Sequence, residues 1–378
     1  MIVEILNVGI RNKGAELMLH AIMQKMRAQI PDIVFTVAPT KKRGHFPKSA
    51  ILAMGLRPKI RSKKFGPVID LVATNLPRAT RQKFAGVFNR DVDLVLDASG
   101  FAYGDQWGSA GTRRLAKSAR NWQSMGIKFI MLPQAFGPFE RSKDHDHVKS
   151  WAASADLIFC REQQSLDYLT DLVGQGDNIK LYGDFTNLVN GVVPENFDAS
   201  DKKVALVPNS QMLKKASDGA EYIPFMIRCA RYLEEKDAKP FLLVHQTESD
   251  RALAQEISSA VGHIPIVQEA DPLALKGILG LCDATIGSRF HGLVSALSQG
   301  VPSLATGWSH KYESLFRDYD CVDGLVEITS SDSALYRKID MIMEEVSARA
   351  LRAKLKERSR MLKQRSEEMW TLIFNTVT

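Results

Sequence analysis

The segment Asp283-Ala-Thr-Ile-Gly-Ser-Arg-Phe-His-Gly-Leu-Val-Ser-Ala-Leu-Ser-Gln-Gly-Val-Pro302 reads as a short buried strand, a tight Gly-Ser turn and a helix that ends at Gly300. A strand feeding straight into a helix is half of a βαβ unit, the repeat from which parallel sheets are built. Arg289 and His291 fall where the helix begins. A helix N-terminus presents unbonded backbone N–H groups and a partial positive charge, which suits an anion. Arginine adds a planar two-pronged clamp for carboxylate or phosphate, and histidine a group that moves protons near neutral pH.

The same alternation extends on both sides. Strands are expected at 204–208, 240–245, 264–267, 284–287 and 301–306, with helices at 221–235, 249–261, 272–281, 290–299 and 311–318 between and after them. The first half repeats the theme less evenly. Strands are expected at 1–9, 33–38, 93–97, 128–133, 156–160 and 179–184, with helices from about Leu17 and around 112–125. The segment 40–90 is the least regular, broken by Pro47, Pro58, Pro67 and Pro77. The predicted fold class is α/β, with two Rossmann-like lobes around a central cleft at the carboxyl edges of their sheets. The expected division is a first lobe over 1–185, a linker over 186–203, a second lobe over 204–332 and a basic helical segment over 333–378.

Composition sets the broad class. The chain has 378 residues, 45% apolar and 25% charged, as in a globular protein with room for two cores. Cys160, Cys229, Cys282 and Cys321 form no CxxC pair and read as buried thiols. No stretch approaches the roughly 18 apolar residues of a membrane span, and the N-terminus lacks a signal-peptide pattern, so a cytoplasmic location is expected. The net charge of +7 is uneven: 33–90 holds 13 Lys/Arg against Asp70 alone, and 349–365 holds eight against Glu357. Such runs are either solvated surface or faces for an anionic partner, including a peripheral contact with an anionic membrane. Without interleaved aromatics or a recognised module they do not suggest nucleic acid. No Walker loop or GxGxxG is present, so no nucleotide cofactor is expected. Asp144-His-Asp-His147 alternates in a polar stretch with poor metal geometry, and no metal is expected.

Several motifs occur together and in order: Gly9…Asn12-Lys-Gly-Ala-Glu16, Asp93-Leu-Val-Leu-Asp-Ala-Ser-Gly100, Pro133-Gln-Ala-Phe-Gly-Pro138, Arg161-Glu-Gln-Gln-Ser165, Ser288-Arg-Phe-His-Gly292 and Gly300-Val-Pro302, followed by Lys311. This ordered set resembles the polysaccharide pyruvyl transferase family. One departure is visible: Ala15 stands where the family pattern usually has an aspartate, while Glu16 remains. The resemblance implies a fold like that of GT-B glycosyltransferases and transfer of pyruvate from phosphoenolpyruvate to a sugar as a ketal, with phosphate released. The acceptor would be a polysaccharide or a lipid-linked saccharide, bound on the first lobe, with the donor on the second.

Phosphoenolpyruvate carries a carboxylate and a phosphate, so its site needs at least two cationic clamps. Arg289, Arg161 and Lys311 are the candidates, and the resemblance ties the Arg289–His291 pair to the donor. Asn12, Gly14, Ser288, Phe290 and Asp97 complete the expected substrate contacts. Ketal formation needs an acid to protonate the enol carbon and a base for the sugar hydroxyl. His291 is expected as the acid and Glu16 as the base, while His245, at a strand end, reads as a residue that satisfies backbone. Two alternatives share the architecture: a glycosyltransferase using a nucleotide sugar, for which Glu313 is the one nearby acid for a ribose, and a non-catalytic assembly subunit.

Overall fold

The computed structural model describes residues 1–40, 46–60, 68, 73–197, 203–245 and 248–377. They form two compact units. The first comprises Met1–Arg11, Met18–Phe185 and Arg365–Thr378; the second comprises Asn12–Leu17 and Thr186–Gln364.

The first unit carries β1 (Ile2–Leu6), β2 (Val34–Val37), β3 (Arg57–Pro58), β4 (Leu94–Asp97), β5 (Phe101–Tyr103), β6 (Lys128–Phe136), β7 (Leu157–Cys160) and β8 (Ile179–Leu181). Their order is β3-β2-β1-β4-β6-β7-β8, with β5 added to β6, and each pairing is parallel. The helices Ser142–Ser154 and Gln163–Val173, together with β3 and β5, add to the expected elements. Asp144-His-Asp-His147 lies in the first turns of one of them, where Asp144 accepts a bond from Ser109 (2.8 Å) and His145 meets the Phe139 carbonyl (2.8 Å).

The second unit carries β9 (Lys203–Val207), β10 (Lys239–Val244), β11 (Ile266–Gln268), β12 (Ala284–Gly287) and β13 (Ser303–Ala305), in the order β11-β10-β9-β12-β13. Side chains alternate along β9. Val204 and Leu206 enter a core with Phe225, Met226 and Leu253, whereas Ala205 and Val207 enter another with Leu275, Ile278 and Leu279. Helices therefore cover both faces, which explains strands that read as apolar runs. The chain leaves β9 to one side for β10 and returns to the other for β12, which creates a switch point at the carboxyl edge. Val207, Gly287 and Ala305 are register partners, so three loops leave this edge at one level.

Residues 186–197, expected in the linker, group with the second unit. The reason is close packing. A Cβ on Gly277 would lie 2.3 Å from the Val192 carbonyl oxygen, and the buried Lys276 ammonium donates to the Thr186 carbonyl (2.7 Å). The expected basic helix is broken once, at Glu344, into Asp332–Met343 and Glu345–Val377.

Much of the positive charge is used internally. Lys59 pairs with Glu4, both buried, Arg81 pairs with Asp91 at 2.7 Å, and Arg78 with Asp93 at 2.8 Å. In the second basic run, Lys354 pairs with Asp320 (2.8 Å) and Arg358 donates to the Asp318 carbonyl (2.7 Å). The expectation for Lys41, Lys42, Arg43, Arg61, Lys63 and Lys64 lies outside the described residues. Among the described residues, no helix is long and apolar enough to cross a membrane. All four cysteines are buried and free.

Candidate active site

At the switch point of the second unit, Ser288 anchors the turn between β12 and the helix Phe290–Leu297. Its carbonyl accepts from Asn209 Nδ2 (2.7 Å) and the Tyr312 hydroxyl (2.8 Å), and its Oγ meets the Tyr222 hydroxyl (2.8 Å). Expected as a substrate contact, Ser288 is instead fully buried with its polar groups bonded internally. It fixes the backbone from which Arg289 and His291 project.

Arg289 is the N-cap residue of that helix, in extended backbone. Its Nη2 donates to Asp250 Oδ2, and the other Asp250 oxygen accepts from the Ser210 amide (3.0 Å). Asp250 has no exposed surface, so the pair is held in a medium where a lone carboxylate would be strongly disfavoured. Fixing one side of the guanidinium in this way orients the whole fork.

His291 meets the segment Asn12–Leu17, which groups with the second unit. A Cβ on Gly14 would fall 2.2 Å from His291 Nδ1 and 2.7 Å from its Cγ. The imidazole therefore lies flush against the backbone of Gly14, at the start of the helix Lys13–Gln29. Asn12 caps that helix: its Oδ1 accepts from the Gly14 amide (3.0 Å) and its carbonyl from the Glu16 amide (2.9 Å). Asn12 and Gly14 thus shape the contact. Ala15 is 9% exposed, so an aspartate in its place would bring a largely buried carboxylate to the first turn.

Glu16 follows within that turn. Its carboxylate pairs with Lys13 Nζ at 2.6 Å. Burial nevertheless raises its pKa above the ordinary glutamate value, the Lys13 contact lowers it in part, and nearby Asp271 adds to the rise. A carboxylate of raised basicity is suited to accepting a proton. His245, directly after β10, is buried and pushed down to about 3, chiefly by burial and then by the positive charges of Arg289, His291 and Lys13. It is neutral at ordinary pH and part of the same electrostatic cluster.

The third loop brings Lys311. Its ammonium lies 4.8 Å from the Trp308 ring centroid, 5.2 Å from Tyr312 and 5.6 Å from Phe290. Phe290 stands edge-on to the His291 ring at 5.3 Å. Glu313, the expected ribose acid of the alternative reading, pairs with Arg317 at 2.5 Å on an exposed helix face.

Asn12, Gly14, Glu16, Ser288, Arg289, Phe290, His291 and Lys311 thus belong to one unit, whereas Asp97 and Arg161 belong to the other. Asp97 is fully buried and accepts from Asn7 Nδ2 (3.1 Å), the Ser99 amide (3.1 Å), the Ser99 hydroxyl and the Tyr103 hydroxyl (2.7 Å). Its pKa is raised by burial, which outweighs those bonds. Arg161, 5% exposed, lies between Glu162 (3.5 Å) and Asp184 (3.6 Å). Both residues clamp strand ends of the first sheet. The same unit holds a cavity of about 440 Å³ lined in part by Asn7, Thr40, Phe101, Trp107, Arg114 and Trp122.

Asp250 and Lys13 were not singled out by the sequence, and His245 was read as structural. Their signal is topological: His245 and Asp250 leave β10, the neighbour of β9 across from β12. That adjacency follows from strand order rather than from spacing.

Solved structures share this fold. UDP-GlcNAc 2-epimerase from Neisseria meningitidis, bound to UDP-GlcNAc, aligns with a TM-score of 0.60 over 99% of each chain at 9% identity. A glycosyltransferase from Rickettsia africae aligns at 0.59 and 13% identity, covering 100% of this chain and 98% of its own. HepE of Anabaena, in complex with UDP and glucose, aligns at 0.60 and 12% identity, covering 100% and 99%. These likenesses show a fold of the two-lobed GT-B type. No curated protein matches the sequence. The family model for polysaccharide pyruvyl transferase matches residues 12–310, from the Asn12 cap through the Arg289–His291 turn, and the chain belongs to that family.

Proposed function

We propose that this protein transfers the pyruvyl group of phosphoenolpyruvate to two hydroxyls of one sugar in a polysaccharide or lipid-linked precursor, forming a ketal and releasing phosphate. The observation that carries the reading is the seating of His291 on Gly14, in the same helical turn that bears Glu16. It supports the reading because an imidazole and a carboxylate of raised basicity then share one cluster, beside the oriented guanidinium of Arg289.

The chemistry balances with these groups. His291 gives a proton to the methylene carbon of the enol, which becomes a methyl group while positive character develops at the adjacent carbon. A sugar hydroxyl attacks that carbon and loses its proton to Glu16. The C–O bond to phosphate then breaks, and the second hydroxyl closes the ketal as its proton leaves with phosphate. Arg289 holds the donor's carboxylate, and the helix N-terminus beside it favours negative charge.

The test incubates the protein with phosphoenolpyruvate and a panel of glycosides, measuring phosphate release and ketal formation together. Glycoside-dependent phosphate release that falls at least about 100-fold in His291→Ala and Arg289→Ala is the expected result, the size of a lost general acid or a lost charged contact. Release of a nucleotide from a UDP-sugar, with none of phosphate, would replace this reading with glycosyl transfer.

A further inference from the structure

We infer that the loop Gly307–Lys311, together with Lys215, forms a pocket for a phosphoryl group. This deepens the reading above, since the donor's phosphate is the group assigned to it. Lys215 ends the short helix Met212–Lys215, in a stretch the sequence did not single out. Its ammonium lies 4.1 Å from the Trp308 ring centroid, and that of Lys311 lies 4.8 Å from the same centroid. Both cations therefore contact the same indole, and each gains from the negative potential of its ring.

Two neutral donors join them. Trp308 Nε1 and Ser309 Oγ are buried and have no hydrogen-bond partner among the described residues. Buried donors are nearly always satisfied, and a pair of adjacent exceptions beside two ammonium groups marks a place for an acceptor-rich anion. Partial burial also lowers the Lys215 pKa, and an anion would offset that effect. A phosphate monoester supplies several acceptor oxygens and close to two negative charges, which matches two cations and two neutral donors better than a carboxylate does.

The loop is shaped to hold this arrangement. A Cβ on Gly307 would lie 2.1 Å from the Tyr312 ring, so the chain turns tightly onto Tyr312, whose hydroxyl bonds the Ser288 carbonyl (2.8 Å). Phe290, contacted by Lys311 at 5.6 Å, stands next to the His291 ring. Phe290 thus stands between Lys311 and the His291 ring, and the assignment gives the carboxylate to Arg289.

Calorimetric titration with inorganic phosphate, and separately with phosphoenolpyruvate and pyruvate, tests the assignment on the full chain and on Lys215→Gln and Trp308→Phe. The phenylalanine keeps a smaller aromatic face and removes the indole donor. Phosphate and phosphoenolpyruvate are expected to weaken about tenfold in Lys215→Gln and several-fold in Trp308→Phe, with pyruvate unchanged. In turnover, KM for phosphoenolpyruvate rises and KM for the glycoside does not. Unchanged phosphate affinity in both variants overturns the pocket, as does phosphate competing only against the acceptor. If phosphate binding weakens as expected while no glycoside is ever pyruvylated, the phosphoryl pocket stands and the proposed reaction falls.

Discussion

Replacing Gly14 with alanine isolates the contact on which the proposed active site rests. The new Cβ would lie 2.2, 2.7 and 3.0 Å from His291 Nδ1, Cγ and Cε1, where ordinary contacts begin near 3.4 Å. The ring must therefore retreat by roughly 1 Å or more. Overpacking of this kind costs about 1–3 kcal/mol, while alanine in a helix gains up to about 1 kcal/mol over glycine. The cycle with His291→Ala separates these contributions. In the wild-type background Gly14→Ala lowers stability by about 0–3 kcal/mol, the overpacking cost less the helix gain. In the His291→Ala background the clash is gone and the same change is neutral or stabilising. The coupling between the sites is then about 1–3 kcal/mol, within the range seen for residues in contact. Denaturant unfolding of the four proteins measures it without any substrate. Displacing the proposed proton donor by about 1 Å is also expected to cost on the order of 100-fold in rate, so kcat of Gly14→Ala should fall accordingly. An equal loss of stability with and without the imidazole would refute the reasoning, because the steric partner would then be something else.

Two further outcomes concern titration. His245 is neutral in the fold, at about 3, against 6.5 when unfolded, so the unfolded chain binds the extra proton first as pH falls. Stability from this group is complete above about pH 6.5 and is lost toward pH 3, by about 2 kcal/mol at pH 5. Urea midpoints at pH 7 and pH 5 should therefore differ more in the wild type than in His245→Gln, and an equal difference would sink the assignment. For Glu16, burial raises the folded pKa above 4.5, so a base at this position loses activity as pH falls through that raised value. Glu16→Gln should remove this acid limb and lower kcat about 100-fold or more; a variant with the wild-type pH profile would exclude Glu16 as the base.

The second sheet was readable because its strands are apolar runs covered on both faces, and each is followed by a helix of ordinary length. The Arg289–His291 turn was visible for the same reason. For Ser288, sequence shows that a residue lies at a strand end but not whether it points up to ligand or down toward Tyr222 and Asn209. Arg161 and Asp97 illustrate the same limit, since both strand-end charges are enclosed by partners of their own unit. Asp250 and His245 required the strand order, which spacing does not encode. The helices Ser142–Ser154 and Gln163–Val173 have polar beginnings that read as loop. Once formed, they bury Val148, Trp151 and Leu169.

The grouping of Asn12–Leu17 with the second unit bears on how this chain could be taken apart or recombined. A fragment beginning after Phe185 would carry His291, Arg289 and Lys311 yet lack Gly14 and Glu16. A fragment ending there would have the reverse set. Neither half alone holds both members of the proposed acid–base pair. A chimera joined at that boundary would also have to seat His291 against whatever residue its other half places at the Gly14 position. In this chain a cut at that boundary would separate a contact that spans nearly the whole length of the family match.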